Sequence, residues 1–175
     1  MPLLIEQGST VTSRQLATAA GVSEGTIFNV FADKDALLAA ALETALDQAP
    51  FELAVARIDP AMPFEPRVIR ATELIQRRIV DIWGLATQLG PQHRPSKPKP
   101  LPDSPALTAL LRAEPARLRV DPAEGARLLR ALTLACTHPM LTAKPRPAAD
   151  IVELFLHGVE EPGGQQSLHG VGTGP

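Results

Sequence analysis

Residues 12–38 constrain the fold more than any other part of the chain, because helix starts and a glycine turn follow one another there at short spacing. Thr12 and Gln15 have the spacing of a capping box, which begins a helix. Gly21 ends that helix, since glycine takes the left-handed backbone conformation without the steric cost of a Cβ atom. Three residues are predicted N-caps of successive helices: Thr12, Ser23 and Asp33. The segment predicts two short helices around a turn, followed by a longer third helix.

The apolar residues of this segment recur at helical spacing, which predicts the faces that pack together. The predicted buried side of the second helix consists of Ile27, Phe28 and Phe31, and that of the third of Leu38, Leu42, Ala45 and Leu46. A helix-turn-helix of this size lets its second helix lie in the major groove of DNA while the first crosses the backbone. We therefore predict a DNA-binding unit of three helices.

The start of the second helix offers side chains that suit contact with bases. Gly25 allows close approach to DNA, Thr26 suits a thymine methyl group or a phosphate, and Asn29 suits adenine. Glu24 is exposed beside them, and its charge is favoured in a first helical turn. The side chains placed for phosphates are Thr12, Arg14 and Lys34.

The run T-S-R-Q-L-A-x-x-A-G-V-S-x-G-T-I-F-x-x-F-x-D-K-x-x-L resembles the DNA-binding segment of the TetR family of transcriptional regulators. The resemblance implies that Ser23–Phe31 is the recognition helix, which adds Ser23 and Phe28 to the predicted DNA contacts, and that Lys34 binds a phosphate. It also implies a repressor that binds a palindromic double-stranded DNA operator as a homodimer. A small-molecule effector in the C-terminal helical domain would release it. The common Tyr-His-Tyr-Phe ending is replaced here, so Asn29 and Val30 depart from the family pattern.

Two features of the N-terminal segment weaken the expectation of tight DNA binding. Residues 1–48 hold two basic side chains, Arg14 and Lys34, against six acidic ones, and phosphate neutralisation drives DNA affinity. Few residues precede the predicted turn at Gly8, enough for the last turn or two of the first helix that the family has. We expect an N-terminally truncated unit, as a misplaced start codon would produce; an in-frame stop directly upstream of Met1 would contradict this.

Composition favours an all-α protein of the cytoplasm. Of the 175 residues, 45% are hydrophobic and 3% aromatic, so the core is aliphatic and rich in helix-forming Ala and Leu. Cys136 is the one cysteine, which excludes an internal disulfide and suits a reducing compartment. No signal peptide and no membrane-spanning run is recognisable.

The remaining chain predicts a C-terminal helical bundle. We expect a DNA-binding domain at 1–48, a regulatory and dimerisation domain at 49–161, and a disordered tail at 162–175. The pattern predicts a linker at 50–63, a proline-rich loop at 90–105, and helices at 64–89, 105–113, 123–137 and 148–160.

The resemblance implies a ligand cavity in the C-terminal domain, and the apolar face of the long helix predicts its lining and hence an apolar effector. The predicted lining residues are Ile75, Ile79, Ile82, Trp83 and Ala86; they also suit a filled core. Thr72, Gln76 and Thr87 are polar groups on the same helix. The arginines Arg67, Arg70, Arg77 and Arg78 are interpreted as a solvated face. The last two helices predict a dimer interface at Leu128, Leu132, Leu154, Phe155 and Gly158, unless these faces only complete the monomer core.

No motif in the sequence points to catalysis, a cofactor or a metal. The four histidines, at positions 93, 138, 157 and 169, lack the spacing of a zinc site. The leading hypothesis is a ligand-responsive DNA-binding regulator. The alternative is a degenerate member of the same family with weak or no DNA binding, which acts as a dimeric ligand-binding or interaction module; an unrelated helical enzyme is a remote third.

Overall fold

A computed structural model of the chain describes residues 12–88, 102–114 and 118–158, and all regular secondary structure in these ranges is α-helical. The predicted all-α class is confirmed. The described helices are α1 Ser13–Ala20, α2 Glu24–Val30, α3 Lys34–Leu46, α4 Ala49–Ala56, α5 Phe64–Gln88, α6 Pro105–Arg112, α7 Pro122–Thr137 and α8 Ala148–His157. The predictions for the truncated first helix, most of the proline-rich loop and the tail at 162–175 lie outside the described residues.

Helices α1 to α3 begin where the capping residues predicted. The Thr12 backbone N–H donates to Oε1 of Gln15 at 2.8 Å, and the Gln15 N–H donates to Oγ1 of Thr12 at 3.2 Å, which completes the capping box. Gly21 ends α1 with a φ of 68°, in the left-handed region that favours glycine. Asp33 caps α3 by accepting from the backbone N–H of Ala36 at 2.7 Å. The local hydrogen bonds alone therefore set the order of helix, turn and helix.

The prediction of a linker at 50–63 is wrong in its first half, which forms α4. Pro50 lies in the first turn of this helix, where the missing N–H breaks no hydrogen bond. The side chains of Phe51 and Val55 are buried in the largest core cluster. Burial of these two side chains against α5 and α6 stabilises a helix that proline content alone did not suggest.

The main core lies among α4, α5, α6, α7 and α8, which pack against one another in pairs. Its buried members include Val68 and Ala71 from α5, Leu107 and Leu111 from α6, Leu129 from α7 and Val152 from α8. Each of these six side chains is fully or almost fully removed from solvent. The predicted apolar stripe of α5 is confirmed at Val68, Thr72 and Ile75, all of which are buried. The helix predicted to reach residue 160 ends at His157, because Gly158 leaves helical geometry with a φ of 82°.

A second, smaller core cluster joins α3 to the C-terminal half of α5. It contains Leu38, Ala41 and Leu42 of α3 with Leu85 of α5, and Leu16 of α1 packs against it. Helix α5 is thus shared, since its N-terminal half lies in the main core and its C-terminal half supports the helix-turn-helix. The domain division at residue 48 stays a prediction. Helix α5, which follows that position, contributes residues to both core clusters.

The predicted solvated face of arginines on α5 is wrong for two of its four members. Arg67 is 9% exposed, and its guanidinium pairs with the Glu114 carboxylate at 3.2 Å and lies over the Phe64 ring. Arg78 is half-buried and lines a cavity described below. Arg70 and Arg77 are exposed, as predicted. Long arginine side chains can lie along apolar surface, so helical periodicity does not reveal which of them are buried.

Candidate DNA-binding unit and ligand cavity

The predicted recognition helix, α2, presents most of its surface to solvent. None of its seven residues is buried, and Glu24, Gly25, Thr26 and Asn29 are all exposed. Ile27 is half-buried on the inner side, together with Phe31 just after the helix. A helix with this exposure has its backbone and short side chains accessible for a groove of DNA.

The expectation that Phe28 belongs to the buried side of α2 is wrong, because its side chain is 52% exposed. Residues 27 and 31 are four apart and share the inner face, whereas residue 28 is turned about 100° from that face by the 3.6-residue repeat. Val30 is 68% exposed. The apolar groups of Phe28 and Val30 therefore form part of the outer surface of α2, where Phe28 stays a predicted DNA contact.

Three of the predicted polar contacts already take part in helix caps. Oγ of Ser23 accepts from the Thr26 backbone N–H at 3.1 Å, and the hydroxyls of Ser23 and Thr26 lie 2.8 Å apart. This pairing fixes the Thr26 side chain at the N-terminus of α2. Thr12 is held likewise in the capping box, while Arg14 is exposed on α1. The side chain of Lys34 lies outside the described part of the structure.

The acidic residues near α2 and α3 are not all placed to repel DNA. Asp33 is the cap of α3, and Asp47 accepts from the Ala49 backbone N–H at 3.0 Å at the opposite end of that helix. Burial lowers the pKa of Arg78, and the nearby charge of Asp47 partly offsets that effect. Asp47 therefore lies away from α2, whereas Asp33 lies beside it as the cap of α3.

The five residues predicted to contact a ligand surround one cavity. Its volume is about 260 Å³, and it lies between the C-terminal end of α3, α4, α5 and α7. The residues that line it are Leu46, Phe51, Ile75, Arg78, Ile79, Ile82, Trp83, Ala86, Arg130, Leu134 and His138. The ring of Trp83 meets the His138 ring edge-on, with 4.5 Å between centroids. Thr72, Gln76 and Thr87 are not among the lining residues.

Arg78 joins the cavity to the end of α3. Its Nη1 donates to the backbone carbonyl oxygen of Asp47 at 2.7 Å, and its Nη2 donates to that of Leu46 at 2.8 Å. These carbonyls belong to the last turn of α3, where a positive charge is favoured by the helix dipole. The Arg78 guanidinium also lies 5.8 Å from the centroid of the Phe51 ring. One side chain thus contacts α3, α4 and the cavity.

Arg130 is the second cation of the cavity, and sequence reasoning missed it. It is only 8% exposed, and its Nη1 donates to the backbone carbonyl oxygen of Pro102. Burial lowers its pKa most, and the nearby charge of Arg78 lowers it further, while Glu52 and Asp103 raise it. Burial also lowers the pKa of Arg78, against the opposite effects of Asp47 and Glu52. Two guanidinium groups therefore share a poorly solvated site.

Glu52 is the carboxylate that offsets this positive charge from outside the cavity. It accepts from Nε2 of Gln48 at 3.0 Å and from the Ala106 backbone N–H at 2.8 Å. Burial raises the pKa of Glu52, but hydrogen bonds from Ser104, Gln48 and Ala106 and the charge of Arg130 outweigh it, so the pKa is lowered. Glu52 thereby fixes α4 to the N-terminus of α6.

The predicted dimer residues lie on neighbouring parts of α7 and α8. Leu128 is 45% exposed, and Leu132, Leu154 and Phe155 are half-buried. Leu128, Phe155 and Gly158 line one groove. These positions leave apolar surface accessible in the single chain, and dimerisation stays a prediction.

Within the described ranges, no set of three or more metal-ligating side chains comes together, and no helix is long and apolar enough to span a membrane. The described lining of the cavity consists of arginine, histidine and apolar side chains.

The capped helices α1 and α2, the turn at Gly21 and the exposure of α2 define a helix-turn-helix unit, which α5 joins to the helical bundle. Residues 1–41 match the family model described as bacterial regulatory proteins, tetR family. The N-terminal segment is therefore similar to that of the TetR family, as the resemblance in the sequence predicted, and the match supports a DNA-binding transcriptional regulator of that family. No curated protein and no solved structure matches the chain significantly.

Proposed function

We propose that this protein is a ligand-responsive transcriptional repressor of the cytoplasm, which binds a palindromic operator as a homodimer and is released when a small molecule occupies the cavity. The observation that carries the proposal is the continuity of α3 between the two sites. Its N-terminal end follows the exposed α2, while Leu46 at its other end lines the cavity. Arg78 ties that end to the cavity wall. A ligand that displaces Arg78 would therefore move α3 and, with it, α2.

In the proposed complex, α2 lies in the major groove with its N-terminal residues toward the bases. Gly25 and Asn29 face the base edges, and Phe28 contacts apolar groups beside them. Arg14 and Lys34 bind phosphates on either side. In a dimer, two such helices separated by one turn of DNA, about 34 Å, read the two halves of a palindrome.

A second candidate function is that of a degenerate family member that binds ligands or partners but not DNA. The observation that favours it is the scarcity of basic side chains, since Arg14 and Lys34 are the basic residues of the first 48. Specific DNA binding without several phosphate contacts is expected to be weak, because those contacts supply much of the affinity.

Selection of binding sites from random duplex DNA, followed by anisotropy titrations at several salt concentrations, separates the two candidates. A regulator enriches a palindromic sequence, and its affinity falls as salt rises, with a slope of about 0.9 per phosphate contacted. Arg14→Gln should lower that slope by about one, whereas Arg112→Gln, at the exposed end of α6, should leave it unchanged. A folded protein that enriches no sequence would support the degenerate member instead.

A further inference from the structure

We propose that the cavity takes a small amphipathic carboxylate, whose apolar body packs against Ile79, Ile82 and Trp83 and whose negative group binds Arg78 and Arg130. This inference rests on the proposed function, since it names the chemical class of the effector. It departs from the apolar ligand that the sequence predicted, because the structure adds two guanidinium groups to the lining.

The charge of the lining favours an anion. Among the described residues that line the cavity, two are arginines and none carries a carboxylate. The positive charges of Arg78 and Arg130 are close enough for one to lower the pKa of the other. A ligand carboxylate inside the cavity would add an attractive interaction with each guanidinium, next to those that Glu52 and Asp47 supply from outside the lining.

The two arginines keep hydrogen-bonding capacity for such a ligand. A guanidinium has five N–H donors in a planar fork that matches a carboxylate. The described hydrogen bonds use two donors of Arg78, on the carbonyls of Leu46 and Asp47, and one donor of Arg130, on the carbonyl of Pro102. These bonds hold both groups in place, so that a carboxylate meets preorganised donors.

The rest of the lining selects an apolar body. Isoleucine, leucine, alanine, phenylalanine and tryptophan side chains form most of the wall, and the volume of about 260 Å³ limits the ligand to a small molecule. An inorganic anion would bind the arginines without filling this apolar space, and an uncharged alkane or alcohol would fill it without pairing the arginines. An amphipathic carboxylate does both.

The same geometry gives the ligand a route to α3. A carboxylate bound to the remaining donors of Arg78 would draw the guanidinium toward the cavity and weaken its hydrogen bonds to the carbonyls of Leu46 and Asp47. Loss of these bonds frees the C-terminal end of α3 from the cavity wall. Occupancy of the cavity is thus coupled to the support of the helix-turn-helix through one side chain.

Fluorescence of the single tryptophan tests the proposal on the full chain, because Trp83 forms part of the cavity wall. The probes are decanoate, the uncharged decanol and decanamide, and decylammonium. We expect decanoate to bind about tenfold to a hundredfold more tightly than decanol, the usual range for hydrogen bonds to a charged group. Decylammonium should bind more weakly than decanol. Equal affinities for decanoate and decanol, or no binding of decanoate, would overturn the proposal.

Variants of the two arginines locate the negative group. Arg78→Gln and Arg130→Gln should each reduce the affinity for decanoate about tenfold and leave the affinity for decanol unchanged. The lysine variants, Arg78→Lys and Arg130→Lys, should bind decanoate with affinities between those of the glutamine variants and the original protein. Arg77→Gln and Arg127→Gln are matched controls, because each lies on the same helix as its partner, is exposed and does not line the cavity. Controls that lose decanoate binding as strongly as the lining variants would contradict the assignment.

DNA binding without probe, measured in parallel, keeps this inference distinct from the proposed function. If the protein binds an operator but does not distinguish decanoate from decanol, the proposed class of effector is wrong and the proposed DNA-binding function is supported. If it prefers decanoate but binds no DNA, the cavity chemistry is right and the regulator is wrong.

Discussion

Gly25 is a residue at which protein stability and DNA binding should respond in opposite directions. A Cβ atom added there would meet only Oγ of Ser23, at an ordinary contact distance of 3.8 Å. Gly25→Ala should therefore raise the stability of the protein by up to about 1 kcal/mol, since alanine favours the helix. If α2 enters the groove as proposed, the extra methyl group should weaken operator binding by about 1–3 kcal/mol, the usual value of a base contact.

Thermal unfolding and anisotropy titration together measure this pair of effects. Ala49→Ser, an exposed change at the start of α4, should leave operator affinity unchanged and serves as the control. A Gly25→Ala protein that binds the operator as tightly as the original would place the backbone of α2 away from the DNA.

Glu52 predicts a specific dependence of stability on pH. Its pKa in the folded protein is lower than the ordinary 4.5, so its contribution to the free energy of unfolding is fully present above that value. The contribution is lost as the pH falls through the lowered pKa, because the protonated group accepts less strongly from the Ala106 N–H and no longer attracts the charge of Arg130. Glu52→Gln should cost about 1 kcal/mol at pH 7, a reduced value for a partly exposed group.

Urea unfolding of the two proteins between pH 7 and pH 3 checks the prediction. The difference in unfolding free energy should be constant down to about pH 5 and shrink below it. Glu43→Gln, exposed on α3, removes the same charge and serves as the control. A Glu52→Gln difference that grows as the pH falls would contradict the lowered pKa.

Helix α5 is the element on which both parts of the molecule depend. At 25 residues and 1.5 Å per residue it is about 37 Å long, which lets it contact the main core and the α3 cluster in turn. Among the residues that the structure describes, the α3 cluster has four buried members, and Leu85 is its contribution from α5. On the same basis the main core has eleven. We therefore expect the helix-turn-helix to be the less stable part.

Leu85→Ala should separate the unfolding of the two parts. Removal of a fully buried leucine costs about 2–5 kcal/mol, and here the loss falls on the smaller cluster. Urea unfolding followed by circular dichroism should then show two transitions, the first for α1 to α3 and the second for the bundle. Leu129→Ala, equally buried in the main core, should instead lower the midpoint of the bundle transition. A single transition in Leu85→Ala would indicate that α1 to α3 unfold together with the bundle.

The elements show which features a sequence alone could predict. The caps at Thr12, Ser23 and Asp33 depend on residues three positions apart, so the sequence contains all the information they need. The apolar positions of α5 that surround the cavity follow from helical periodicity in the same way. The sequence did not predict α4, because this helix is stabilised by contacts of Phe51 and Val55 with helices that are distant in sequence.

The cationic part of the cavity could not be predicted for the same reason. Arg78 lies beside the apolar stripe of α5, and its hydrogen bonds to the carbonyls at the end of α3 hold its side chain against the cavity. Arg130 is on a helix 52 positions further along the chain, and its burial depends on how α7 packs against α5. Residues that meet only in the folded protein leave no spacing signal in the sequence.

The exposed apolar surface on α7 and α8 predicts that two copies of the chain form a dimer. Leu128 is 45% exposed and adjoins a groove formed with Phe155 and Gly158. A second copy of the chain would cover this surface and remove apolar area from water. Leu128→Glu should therefore shift the protein from dimer to monomer in sedimentation velocity, because a carboxylate would have to be buried without a partner.

The consequence for DNA binding follows from symmetry, since a monomer can hold only one half of a palindromic operator. Loss of the dimer should reduce operator affinity by at least about a hundredfold, as two linked contacts bind far more tightly than one. Leu53→Glu is the matched control: Leu53 is 57% exposed on α4, away from the groove, and the variant should stay dimeric and bind DNA normally. A Leu128→Glu protein that remains a dimer would move the interface to another face. A monomer with full operator affinity would show instead that each chain reads its site alone.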